Sequence, residues 1–387
     1  MTVRLKPVEE QVVVITGASS GIGLATARMF AEHGARGLVL VARNQETLNH
    51  VAEELSAKGT RTVAVQADVA RREELERVAR TALDTFGGFD TWVNDAAVAL
   101  YGTLEEIPIE DQRRQFEVNY WGMVYGSLIA AQHLRQRRGG AIINVGSVLS
   151  ERAMIFQTQY SASKHAVKAF TDGLRMELER ERAPISVTLI KPSAIDTPYP
   201  EHARNYLQDE LKTPPPVYDP HLVARAILFA AENQKRELTV GFGGWMIGAL
   251  GTIAPRLLDK AMELTGYSSQ TTEQPERPQM RDNLYRPRQD GDEYSSLRGE
   301  PRKTSLFLAA QMHPFATAAV LAGLGAAIVA LLVPRSAHGR PRRRATPARR
   351  YESVERKTGN GHDRPTFGPG YRARHEPLEG NRVQPRH

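Results

Sequence analysis

With 387 residues, 41% of them hydrophobic, the chain is long enough for one large domain or two ordinary ones with a substantial core. It has no cysteine, which excludes disulfides, thiolate nucleophiles and cysteine-ligated zinc; its eleven histidines form no HExxH pattern, and no metal site is expected. The net charge of +7 is unevenly placed: residues 335–387 hold 14 Lys+Arg against 5 Asp+Glu, so the remaining 334 residues sum to −2 and the basic character belongs to the tail.

The first 20 residues carry an apolar run of only four before a glycine-rich turn. That is too short for the core of a signal peptide, and the amino-terminal part is expected to stay in the cytosol. Residues 11–16 read as a buried strand that runs into Gly17-Ala18-Ser19-Ser20-Gly21-Ile22-Gly23 and then a helical pattern through Leu24, Ala27, Met29 and Phe30. Glycines at such a turn leave no Cβ between backbone N–H groups and a pyrophosphate, and the positive helix end favours the anion. Alone, a GxxxGxG turn serves ordinary backbone geometry equally well.

A second strand is expected over 37–42, followed by Arg43 about 20 residues after Gly23. An acidic residue there would suit the ribose hydroxyls of NAD; an arginine suits a 2′-phosphate and points to NADP(H), against the plain alternative of a solvent-facing arginine at a strand end. A helix over 45–57 leads to a third strand over 62–66, which ends near Asp68-Val69 on the ligand side of such a sheet. A helix over 71–86 and a fourth strand over 89–93 follow, ending in Asn94-Asp95-Ala96-Ala97. This alternation implies a parallel sheet covered by helices on both faces, with ligands at the strands' carboxyl ends.

Asn119 falls in a long helical stretch, 112–138, stopped by Gly139-Gly140. A fifth strand over 141–145 ends in Gly146-Ser147, thirteen residues before Tyr160, and Ser147 could donate a hydrogen bond to a substrate oxygen or simply close a turn. In Tyr160-Ser161-Ala162-Ser163-Lys164, a helix would put the tyrosine and lysine on one face. A nearby ammonium is expected to lower the phenol's pKa and make Tyr160 a general acid or base. By itself this spacing also fits an ordinary amphipathic helix.

Taken together, TGASSGIG, the Asn94-Asp95-Ala96-Ala97 turn, the helical Asn119, Gly146-Ser147 and YSASK resemble the short-chain dehydrogenase/reductase family over about residues 9–245, in that family's order and at its separations. The resemblance implies a Rossmann-type doubly wound α/β fold and a hydride transfer between NADP(H) and a ketone or secondary alcohol. It implies that Tyr160 transfers the proton, Ser147 positions and polarises the carbonyl, Lys164 lowers the tyrosine's pKa and holds the nicotinamide ribose, and Asn119 anchors a proton-relay water. Cofactor contacts would come from Gly17, Ser19, Ser20, Gly21, Ile22, Gly23, Arg43, Asp68, Val69 and Asn94, with Tyr160, Lys164, Pro192 and Thr197 at the nicotinamide end. Three departures stand out: Asp95 replaces an amide, Ser193 follows Pro192 in place of a glycine, and Ser20 stands where a base would reinforce NADP(H) preference, which therefore rests on Arg43. A homo-oligomer through the helices carrying Asn119 and Tyr160 is also implied. The other class of reading is a catalytically silent cofactor-binding or scaffold protein on the same fold.

A sixth strand over 185–191 and a last over 237–240 with a helix over 221–232 complete the sheet. The proline-rich stretch 198–220 is expected to be the substrate lid; with segments 98–102 and 149–157 it offers mostly apolar and aromatic side chains, which suits a neutral, fairly hydrophobic carbonyl. The catalytic domain is thus expected over 9–250. Within 251–314, residues 254–264 could form an amphipathic helix, and 267–304, polar and proline-dotted, read as a disordered linker. Residues 315–333 carry no charge for nineteen residues, about 28 Å of helix against a ~30 Å hydrocarbon core, and form a membrane-span candidate weakened by seven alanines and two glycines. Because the basic flank 334–387 would put the catalytic domain on the wrong side of a plain span, a shallow or re-entrant helix, or a tail lying on anionic lipid, is the expectation. Nucleic-acid binding by the tail is the rival and is not favoured.

Overall fold

The structure is a computed structural model, and it describes residues 3–276, 281–288, 291–297 and 299–332. Its elements in chain order begin with β1 (Val12–Thr16), α1 (Gly21–Glu32), β2 (Gly37–Ala42), α2 (Gln45–Ala57), β3 (Thr62–Gln66), α3 (Arg72–Phe86) and β4 (Thr91–Asn94). There follow β5 (Leu100–Tyr101), α4 (Ile109–Phe116), α5 (Gly122–Arg135), β6 (Gly140–Val145), α6 (Thr158–Arg180) and β7 (Ile185–Pro192). Next come α7 (Tyr199–His202), β8 (Arg204–Asn205), β9 (Asp209–Leu211), α8 (Pro220–Glu232) and β10 (Glu237–Val240). The series closes with α9 (Phe242–Ile253), α10 (Pro255–Gln270), β11 (Thr271–Pro275), α11 (Leu306–Met312) and α12 (Pro314–Leu332).

Seven strands form one parallel sheet in the order β10-β7-β6-β4-β1-β2-β3. The apolar runs of β1 and β2 are continuous because both faces are covered. Val13, Ile15, Leu38 and Leu40 face Leu24, Phe30, Val223 and Ile227 of α1 and α8. Their neighbours Val12, Val14, Val39 and Val41 lie in the opposite core with Leu75 and Val78 of α3 and Leu134 of α5. The period of two thus assigns each strand residue to a layer. Chain order reverses between β1 and β4, where the carboxyl ends of the strands part and open a crevice.

The doubly wound sheet agrees with expectation, and three expectations are corrected. The helical stretch 112–138 is broken by a π-helical turn, Glu117–Trp121, between α4 and α5. Asn119 sits in that turn and clamps the Val98 backbone, accepting its N–H at 2.8 Å and donating to its carbonyl at 3.0 Å. The stretch 267–304 is no disordered linker where it is described. It forms β11, which pairs antiparallel with β9, and then runs back over the body, held by polar anchors that low hydrophobicity does not reveal.

The third correction concerns 315–333. Among the described residues no single helix is long and apolar enough to cross a membrane; Leu306–Met312 and Pro314–Leu324 pass only as a pair bent by 114°. Val333 and the basic tail 334–387 lie outside the described residues.

Candidate active site

A cavity of about 540 Å³ lies at the carboxyl ends of the strands and takes in the glycine turn, Arg43, Ser147, Tyr160 and Lys164. Each is delivered by a different element: the turn by β1, Arg43 by β2, Ser147 by β6, and Tyr160 with Lys164 by the first turns of α6. The turn is as tight as a dinucleotide cradle requires. A Cβ on Gly23 would stand 2.2 Å from the Gly17 carbonyl oxygen, so only glycine closes it. Within the first turn of α1 the Gly23 N–H goes to the Asp95 carboxylate and the Gly21 N–H to the Asp292 carbonyl at 2.9 Å, while Ile22 between them lines the cavity. Ser19, Ser20, Asp68, Val69, Pro192 and Thr197 line it too, and this constellation fits a nicotinamide dinucleotide.

At the reacting end the Tyr160 hydroxyl has Ser147 and Tyr199 as hydrogen-bond partners. Tyr199 packs edge-on against it, with ring centroids 5.4 Å apart, and donates its own hydroxyl hydrogen to Gln157 Oε1 at 3.0 Å. The Lys164 ammonium donates to the Val145 carbonyl at 2.9 Å. Contrary to the expectation from spacing, the Tyr160 pKa is raised: burial is the largest influence, Ser147 and Tyr199 oppose it, and the Asp95 carboxylate adds to it. Burial also lowers Lys164 to about 8 despite Asp95, and pushes Asp95 up to about 7 despite Lys164 and the Gly23 N–H. Lys164 and Asp95 thus act on each other's charge beside the tyrosine.

The sequence of the chain matches the family described as "short chain dehydrogenase" over residues 11–207. It is 46% identical over 323 residues to the "Uncharacterized oxidoreductase YxnA" of Bacillus subtilis strain 168, covering 83% of this chain and 90% of that one. The chain belongs to the short-chain dehydrogenase family. Among solved structures, a short-chain dehydrogenase/reductase from Burkholderia phymatum in complex with NAD is similar with TM-score 0.59 and 25% identity, covering 65% of this chain and 96% of that one. The L-sorbose reductase of Gluconobacter frateurii, complexed with NADPH and L-sorbose, is similar with TM-score 0.54 and 28% identity over 60% of this chain and 96% of its own.

Not every residue singled out for this dehydrogenase reaches the cavity. Asn94 is buried in the sheet, where it accepts from Trp92 Nε1 at 2.8 Å and donates to Asn144 Oδ1 at 2.9 Å and Ser127 Oγ at 3.1 Å. The Asn119 side chain is spent on Val98 and, at 3.2 Å, on the Ser163 hydroxyl. Asp68 lines the cavity but its carboxylate accepts from Arg114 at 2.5 Å and from the Ala70 N–H at 3.0 Å.

Other contributors were missed. Tyr199 lies in the stretch expected to be the lid, and α9, which straddles the expected end of the domain at residue 250, brings Met246 and Ile247 to the cavity. Its unbroken apolar sequence from Phe242 was the available signal. Gly244 lets α9 approach the turn after Ser147, since a Cβ there would meet Val148 at 2.5 Å. With Val98, Tyr101, Leu149 and Met154 these side chains give the cavity a largely apolar lining.

Proposed function

We propose that this oxidoreductase uses NADP(H) and interconverts a neutral, fairly hydrophobic ketone with its secondary alcohol, with Tyr160 as the proton donor in reduction. The observation that carries the reading is the Tyr160 hydroxyl held between Ser147 and Tyr199 in the same cavity as the glycine turn and Arg43. Bound nicotinamide would supply the hydride. The chain supplies the geometry and the proton. The phenol is protonated at neutral pH, the more so because burial raises its pKa, so it can donate to a carbonyl oxygen as negative charge develops there, while Ser147 offers the same oxygen a second hydrogen bond.

At the other end, Arg43 would meet the 2′-phosphate, with Asp68 and Val69 beside the adenine; Ser19, Ser20 and Ile22 would meet the pyrophosphate, with Gly17, Gly21 and Gly23 shaping the turn. Pro192, Thr197 and Lys164 would border the nicotinamide and its ribose. Structural neighbours include one complexed with NAD and one with NADPH, so the cofactor preference rests on Arg43. Such a protein would work where the NADP(H) pool is, in the cytoplasm. The exposed Trp121, Leu128 and Met176 on and beside the helices that follow Asn119 and Tyr160 support a homo-oligomer through that face.

NADPH oxidation against a panel of aromatic ketones, steroids, retinals and keto-lipids tests the proposal. Turnover with at least one apolar member, abolished in Tyr160→Phe, is expected. Cofactor binding with no turnover on any member would favour the catalytically silent alternative.

A further inference from the structure

The polar stretch after β11 does something that the family's sheet and motifs do not require. Residues 281–288 and 291–297 run across the outer side of the cavity, engaging in turn Arg43, Asn44 and the first turn of α1. Arg43 donates to the carbonyls of Asn283 and, at 3.1 Å, of Leu284. Asn44 donates to the Arg288 carbonyl at 2.8 Å, and the Gly21 N–H to the Asp292 carbonyl at 2.9 Å. Asn283, Pro287 and Arg288 line the same cavity as the glycine turn, so this segment is the cavity's outer wall and leaves space beneath it.

Its anchors are specific. Leu284 is fully buried in the core beside Val69 and Val118. The Tyr285 hydroxyl donates to Asp111 at 2.7 Å. Buried Glu293 pairs with Arg28 at 2.9 Å and His221 at 2.7 Å, and Ser295 donates to Asp196 at 2.9 Å. The similarity to the Bacillus subtilis relative spans 323 of 387 residues and so reaches beyond residue 297 wherever it begins.

We propose that these two runs form a strap that holds the dinucleotide in its cleft and must lift for it to enter or leave. The strap carbonyls also brace Arg43, fixing the guanidinium so that its remaining donors are presented to the cavity. The chain's own extension then sets how long the cofactor stays, and the retention is greater for NADPH than for NADH because the bracing acts through Arg43. The inference rests on the cofactor reading above.

The test is release of NADPH, followed by its fluorescence after mixing the complex with excess NADP⁺, in the full chain and in Leu284→Ser and the milder Glu293→Gln. Faster release by about tenfold or more in Leu284→Ser, and by a smaller factor in Glu293→Gln, with NADH less affected, is the expected result. Because the chain has no cysteine, a dye on Arg286→Cys, at an exposed strap position, reports the strap itself and should respond to NADPH. If Leu284→Ser does not fold, the Glu293→Gln rate and the dye signal decide. Unchanged release with a silent dye would overturn the strap. Tighter binding in the variants would also overturn it, by making the segment a competitor of the cofactor. If the unaltered chain binds neither NADPH nor NADH, the cofactor reading itself has failed.

Discussion

The Lys164 ammonium donates to the Val145 carbonyl at 2.9 Å and lies 5.6 Å from the centroid of the Tyr160 ring, while Ser147 and Tyr199 hold the Tyr160 hydroxyl. The lysine therefore meets the tyrosine at its face, and burial, acting against the charged form, raises the pKa of a phenol that is already protonated at neutral pH. Tyr160→Phe removes the donor while keeping the ring. The expected result is a loss of reductase rate on the order of 10²–10⁴-fold with NADPH affinity within about twofold of the unaltered protein. Rate assays with parallel fluorescence titration check it, and retention of most of the rate would refute the role of the hydroxyl.

Arg43→Asp reverses the charge beside the expected 2′-phosphate site. NADPH affinity is expected to fall on the order of 10- to 100-fold while NADH affinity rises or holds, because the new carboxylate repels the phosphate yet accepts from a ribose hydroxyl. Titration with both cofactors measures this. An unchanged preference would remove Arg43 from cofactor recognition.

Asp95→Asn restores an amide at the position where the chain departs from its family. The wild-type carboxyl pKa of about 7 lies above its ordinary value of 3.8, so the fold favours the protonated form and wild-type stability declines as pH rises between those two values. The variant carries no such decline. Its melting temperature should match the wild type near pH 4 and exceed it near pH 8, the difference amounting to a few kcal/mol at most (on the order of 1.4 kcal/mol per pKa unit). A difference that stays constant with pH would show that the carboxylate is not under this strain.

Gly244→Ala places a Cβ against Val148 and forces α9 away from the turn after Ser147. Overpacking of this kind costs about 1–3 kcal/mol, and because α9 walls the cavity, KM for an apolar ketone should rise more than kcat falls. Thermal unfolding and steady-state kinetics check the two parts. A variant with unchanged stability and KM would separate α9 from the site.

The sheet was legible because its strands are short apolar runs buried on both faces; β2, β3 and β10 have the expected limits, and those of the other long strands differ by one or two residues. Tyr160, Ser147, Lys164, Arg43 and the glycine turn were legible because each ends or begins an element at the carboxyl edge. What escaped depends on contacts distant in sequence. The π-helical turn forms where Asn119 binds Val98, 21 residues away, and a helical pattern does not register that bond. The titration of Tyr160 follows from how deeply the helix start is enclosed, which the spacing of Tyr160 and Lys164 does not contain. The strap is ordered by Glu293 meeting Arg28 and His221, and Tyr285 meeting Asp111, so its polar composition read as a reason for disorder.

The central claim is a hydride transfer from NADPH to a carbonyl carbon with proton delivery from Tyr160. Its most direct test is incubation of the protein with NADPH dideuterated at nicotinamide C4 and the ketone panel, with mass spectrometry of the products. The account predicts an alcohol carrying one deuterium on the carbinol carbon, formed by the unaltered protein and not by Tyr160→Phe. Cofactor oxidation that leaves no deuterium on that carbon, or labelled alcohol formed equally well by Tyr160→Phe, would contradict it.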